Sequence, residues 1–123
     1  MRFFHINEFE CKCGCGRADM DPAYLEKLDQ LRGDYGKPII ISSGYRCPSH
    51  NAKVSSTGTT GPHTTGKASD LQVDRSDAYL LLGLAYARGF TGIGINQKGS
   101  GRFIHLDTLR EAPGQPRPTL WSY

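Results

Sequence analysis

The chain has no apolar run approaching the roughly 18 to 20 residues that a membrane helix requires. Its first residues, Met1-Arg2-Phe3-Phe4-His5-Ile6-Asn7-Glu8, turn acidic before the apolar core of a signal peptide can form. A soluble protein is expected, with no signal peptide and no membrane insertion. Hydrophobic residues make up only 37% of the 123 positions, enough for one modest core but not for two ordinary domains. Charge of a single sign is scarce too: 15 Lys and Arg stand against 12 Asp and Glu. The surplus is spread along the chain and makes no focused basic stripe, so no nucleic-acid partner is expected. With no internal repeat and no linker, residues 1–123 read as one domain.

Glycine and proline are what the chain has in excess, 15 and 7 residues, about 18% together against a usual share of roughly 12%. Such a chain is rich in turns, which excludes a helix bundle or coiled coil. Asp21 and Pro22 supply an N-cap and a first helical residue, and Tyr24, Leu28, Leu31 and Tyr35 follow at helical spacing, predicting a helix to about Asp34. Pro38 to Ser43 reads as a buried strand and Pro48 to Val54 as a brief helix. The Ser-, Thr- and Gly-dense stretch Ser55 to Gly66 is a loop, and Ala68 to Val73 a strand with Ala68, Asp70 and Gln72 on one face. A second helix, capped by Ser76, is expected to pack through Tyr79, Leu80, Leu82, Leu84 and Tyr86. Thr91 to Ile95 and Phe103 to Thr108 form two more strands, and Arg110 to Tyr123 is left as a tail with three prolines and the only Trp. The fold class is α+β, a small domain with a mostly antiparallel sheet and helices packed on it.

The four cysteines lack the C-x2-C spacing of common zinc modules: Cys11, Cys13 and Cys15 alternate and Cys47 stands alone. The spacing leaves free thiols, one disulfide involving Cys47, and a structural metal all open.

Three residues stand out because core formation does not call for them. His63 sits in the glycine-rich loop, Asp70 on a strand, and His105 on the last strand in one face with Phe103 and Asp107. Each is a zinc-ligand type, and if the two strands are neighbours, two imidazoles and a carboxylate converge with a fourth position left for water.

The segment Ser43-Gly44-Tyr45-Arg46, the block His63-x2-Gly66-x-Ala68-x-Asp70 and the run Phe103-Ile104-His105-Leu106-Asp107 together resemble the zinc D-alanyl-D-alanine carboxypeptidase family. That family includes peptidoglycan endopeptidases, and this chain looks most like its compact members from bacteriophages. Hedgehog signalling domains share the fold, so the fold alone does not imply catalysis.

The resemblance implies one catalytic Zn2+ on His63, Asp70 and His105, and a substrate-carboxylate clamp at Arg46, with Ser43 and Tyr45 lining the same pocket. It implies a hydrolase of peptidoglycan stem or cross-link peptides, acting on the cell wall or periplasm as a monomer. A small wall enzyme with no signal of its own would suit a phage endolysin released from the host cytoplasm through a holin. Many members carry a Glu or Asp three residues before the last His, where it deprotonates the water; here that position is Arg102. The remaining candidate base is Asp107, which could instead orient a histidine or exchange roles with His105. The competing reading is a non-catalytic zinc module that recognises cell wall or protein. A module organised by the cysteines is a third.

Overall fold

Asp21 accepts a bond from the Tyr24 N–H at 2.9 Å, the N-cap geometry that starts helix α1 (Pro22–Tyr35), and Gly36 ends it in the left-handed region at φ 76°. The computed structural model describes residues 1–123. After α1 come β1 (Ile40–Ser43), α2 (Pro48–Val54), β2 (Ala68–Gln72), α3 (Arg75–Ala87), β3 (Gly92–Asn96), β4 (Phe103–Asp107) and β5 (Thr119–Ser122). Short 3-10 turns span Ile6–Phe9 and Pro62–Thr65.

The strands form one sheet in the order β1-β2-β4-β3-β5. All neighbours are antiparallel except β3 and β5. The α+β class with a mostly antiparallel sheet is therefore observed, and the parallel pair at its edge is supplied by the tail. Pro116 and Pro118 flank the approach to β5, but inside the strand Thr119, Leu120, Trp121 and Ser122 all have N–H groups to pair. The β1 strand is shorter and less buried than the isoleucine run suggests: it lies at the other edge, with Ile41 buried and Ile40 60% exposed.

The period-two reading of β2 and β4 holds in the register. Asp70 pairs with His105 and Ala68 with Asp107, so their side chains share a face, while Leu71, Ile104 and Leu106 turn to the other face and the helices. There they meet Leu28 and Leu31 of α1 and Leu81 of α3, all fully buried. Each such side chain contributes about 1.5–3 kcal/mol relative to exposure.

Helix α3 packs through only two of the residues expected of it, Leu82 and Leu84, which lie half-buried against the core. Its buried face is Ala78, Leu81 and Ala85, whereas Tyr79 and Tyr86 are 83% and 78% exposed. Small alanines flanking one leucine at helical spacing let the helix approach the sheet closely, and the aromatic residues fall on the outer side. Its cap also shifts, to Asp74 in place of Ser76. Arg88 at its end forks onto Asp34 of α1 with bonds of 2.6 and 2.8 Å.

Candidate metal centre

On the face of the sheet away from the helices, β2 presents Asp70 and β4 presents His105, and the 3-10 turn after Gly61 swings His63 over them. Asp70 Oδ1 is 3.3 Å from His63 Nε2 and 3.1 Å from His105 Nδ1. All three side chains are buried and their ligand atoms lie within 4.8 Å of one another. The sequence brought these residues together only conditionally; the adjacency of β2 and β4 meets the condition.

The remaining bonds fix which nitrogen of each imidazole is free. His63 Nδ1 is 2.8 Å from the Gly44 carbonyl, which can only accept, so Nδ1 carries a proton and Nε2 is the nitrogen left to face Asp70 or, once deprotonated, a metal. His105 Nε2 donates to the Asp107 carboxylate at 2.8 Å, which leaves Nδ1 directed at Asp70. Two imidazole nitrogens and one carboxylate oxygen, each backed by a fixed partner, are a donor set suited to zinc.

Electrostatics follow from the packing. Burial would push the Asp70 carboxyl up, but bonds from His105 and His63 and their charges outweigh it and hold the group well below the ordinary carboxylate range. Burial would depress His105, yet the carboxylates of Asp107 and Asp70 raise it above the ordinary imidazole value. Asp107 is also held down, to about 2, because bonds from His105 and Arg117 outweigh its burial.

Asp107 sits behind His105 and does not line the cleft. Fully buried, it accepts from His105, from the Leu109 N–H at 3.2 Å, and from Arg117 through a two-pronged pair at 2.9 and 2.8 Å. Arg117, in the tail, is the principal residue that sequence reasoning missed, together with Trp121, whose ring lies 5.1 Å from His105 and 5.1 Å from the Arg117 guanidinium. The lone Trp four residues after an arginine was the available signal. The room for both comes from β3: a Cβ on Gly92 would fall inside the Asp107 carboxylate, and one on Gly94 would lie 2.5 Å from Trp121 Nε1. Gly92→Ala is therefore expected to displace Asp107 and lower both thermal stability and zinc affinity, checked by calorimetry and metal titration. A variant matching the parent in both would contradict this packing account.

The cleft above the cluster has a volume of about 830 Å³. The loop from Val54 to Pro62 forms one wall and the tail from Pro113 to Tyr123 the other, with His63, Asp70, His105 and Arg46 between. Arg46 Nη2 is 3.7 Å from Asp70 Oδ2, and its Nη1 donates to Asn51 Oδ1 at 3.1 Å. Asn51, also unforeseen, is fully buried in α2 and donates to Thr57 and to the Gly58 carbonyl, so one side chain holds both Arg46 and the wall loop. Ser43 and Tyr45 are not brought to the cleft. Ser43 pairs with Asp70 on the β1 edge, and Tyr45 is buried against Cys11 and Cys47. Arg102 lies in the β3–β4 loop, donating to the Gly99 carbonyl, outside the cleft.

An α+β domain that gathers two histidines and a carboxylate at the base of an open cleft has the layout of a single-metal hydrolase. The family model for Peptidase M15 matches residues 2–107, and the chain belongs to that family. Its members are zinc-dependent peptidases, which supports a zinc metallopeptidase with a peptide substrate. No curated protein matches the chain. No helix is long and apolar enough to cross a membrane.

Proposed function

We propose that the protein is a zinc-dependent peptidoglycan peptidase, a D-Ala-D-Ala carboxypeptidase or endopeptidase, with His63, Asp70 and His105 as metal ligands and Arg46 as the clamp for a substrate carboxylate. The observation that carries this reading is Arg46 held beside the cluster, 3.7 Å from Asp70, in an open cleft. A zinc ion bound there supplies Lewis acidity to an amide carbonyl and lowers the pKa of a water toward neutrality.

The chain's own residues do the rest. Asn51 occupies one edge of the Arg46 guanidinium, which leaves donors for a carboxylate in the rigid, two-pronged geometry that arginine favours. A carboxylate anchored so close to the cluster places the amide next to the chain end over the ligands, and bacterial stem peptides with D-residues carry such free carboxylates. Among the roles open to Asp107, its burial and its bonds to Arg117 and Leu109 support the orienting one: it fixes His105 with Nδ1 free. Trp121 covers the His105 ring and limits water on that side. The cell wall is the site of action this reading implies, and release through a phage holin is the route that suits an endolysin.

A peptide ending in D-Ala-D-Ala tests the clamp. Arg46→Lys is expected to raise KM about tenfold or more with a smaller effect on kcat, since one charge-assisted bond is worth about 1.5–3 kcal/mol. Amidating the peptide's terminal carboxylate should reproduce the loss with the unaltered protein. Equal kcat/KM for the acid and the amide would reject the clamp. One observation favours the second reading, a non-catalytic zinc module: Asp70 is the only acidic side chain lining the cleft. That reading predicts stoichiometric zinc and peptide binding with no cleavage.

A further inference from the structure

None of the four cysteines lines the cleft, yet they are gathered at one point. Their sulfurs lie within 4.8 Å of one another, with Cys13 Sγ 3.4 Å from Cys11 Sγ and 3.6 Å from Cys47 Sγ. These are not bonded pairs: a disulfide requires about 2.05 Å, and all four thiols are free. Thiolates about 2.3 Å from a zinc ion in a tetrahedron stand about 3.8 Å apart. The observed spacing is close to that of such a shell.

The backbone is built to deliver this arrangement. The Cys11 N–H donates to the Arg17 carbonyl at 2.8 Å and the Gly14 N–H to the Cys11 carbonyl at 3.4 Å. Gly14 and Gly16 take φ of 87° and 79°, a region open to glycine at low cost. These reversals fold the C-x-C-x-C run back on itself, so its alternate residues converge on Cys47 and do not line one side of a strand. The Cys47 N–H donates to Cys11 Sγ at 3.3 Å, and the Ser49 hydroxyl lies 3.5 Å from Cys47 Sγ. Thiols are weak donors and acceptors, so a cluster of four gains little from internal hydrogen bonds, whereas as thiolates they need a cation. Lys12 adds a positive charge to the same loop, while that of Arg17 is paired with Asp19 at 2.6 Å.

We propose that Cys11, Cys13, Cys15 and Cys47 form a second, structural metal site holding one Zn2+ in a closed four-thiolate shell. Binding releases the four thiol protons to solvent, and the ion with four thiolates carries a net charge of −2. Four protein ligands leave no position for water or substrate, which sets this site apart from the histidine cluster. Its work is to fasten the arm between Phe9 and Pro22, which has no helix or strand of its own, to the turn at Gly44–Cys47. The Tyr45 N–H to Phe9 carbonyl bond at 2.9 Å joins the same two segments. That turn carries Arg46, and its Gly44 carbonyl holds His63.

The test counts metal on the full chain, purified in reductant with zinc, and repeats the titration with Co2+. Two zinc ions per chain are expected, falling to one in Cys13→Ser/Cys15→Ser and to one in His63→Ala/Asp70→Ala. Cobalt should give sulfur-to-metal charge-transfer absorption in the unaltered protein and in the histidine-site variant, and none in the cysteine variant. Cys13 and Cys15 are exposed, so serine there removes nothing from the core, and the cobalt spectrum of the unaltered chain needs no variant at all. Alkylation should find four protected thiols with metal bound and four reactive ones after chelation. Absence of the sulfur–cobalt band, an unchanged metal count in the cysteine variant, or a native disulfide by mass would overturn the proposal. Failure of the histidine site would lower the metal count while the band remained, so the two outcomes read separately.

Discussion

Replacing His63 or Asp70 with Ala is expected to release the zinc of the histidine cluster and abolish peptide hydrolysis. The three ligand atoms converge on one point and each is held by a single well-ordered element, so no nearby side chain can take the place of a lost one. The loss in metal affinity should exceed the roughly 10- to 100-fold that removal of an outer partner costs. The fold should survive His63→Ala, because His63 projects from a 3-10 turn on the side of the sheet away from the main core. Circular dichroism checks the fold, and metal titration with a peptide assay checks the site. Retained hydrolysis in either variant would reject the ligand assignment.

Asp107→Asn should carry the second largest effect, and it separates the orienting role from that of a general base. As the orienting partner of His105, its loss leaves Arg117 buried beside a neutral amide and loosens the imidazole. Zinc affinity is then expected to drop about 10- to 100-fold, with activity substantially restored at saturating zinc. A general base would give the reverse: normal affinity and a kcat that added zinc cannot recover. The same variant alters acid stability. With the folded group at about 2 and an unfolded aspartate near 3.9, the bonded carboxylate stabilises the native state above the unfolded value. That contribution disappears as pH falls from about 4 toward 2. Acid titration of the chelated protein should therefore show a steeper loss in the parent than in Asp107→Asn, and identical profiles would contradict the pairing with Arg117.

The parts of this account that the sequence made legible are those encoded by local periodicity. Asp21-Pro22 and the leucine spacing of α1 mark a helix, and alternation in Ala68–Gln72 and Phe103–Asp107 assigns Asp70, His105 and Asp107 to a common face. The parts it hid depend on distant partners. Thr119–Ser122 is a strand because β3 offers it a parallel edge, and nothing within a proline-rich tail announces that edge. Arg117 and Trp121 reach the centre for the same reason, and the glycines of β3 acquire meaning only once Asp107 and Trp121 fill the space beside them. The buried face of α3 was obscured because two alanines carry the close contact while the conspicuous tyrosines face outward. For the cysteines, alternation leaves their partners open, whereas Gly14 and Gly16 turn the chain and bring three of them onto a fourth.

Asn51 shows the same limit on a smaller scale. A polar residue in a seven-residue helix reads as solvent-facing, yet its three bonds to Arg46, Thr57 and Gly58 make it the joint between Arg46 and the cleft wall. Asn51→Ala is accordingly expected to raise KM for a carboxylate-ended peptide several-fold while leaving stoichiometric zinc at the histidine cluster. Steady-state kinetics alongside metal counting check it, and loss of zinc with unchanged KM would contradict the role.

The most direct test of the central claim is digestion of purified peptidoglycan by the zinc-loaded protein, with and without a chelator, and identification of the released products by mass. The proposed function predicts new stem- or cross-link-derived peptides that vanish on chelation and return with added zinc. A zinc-loaded protein that binds the wall material yet releases no product would contradict it and leave the non-catalytic module as the reading of this cleft.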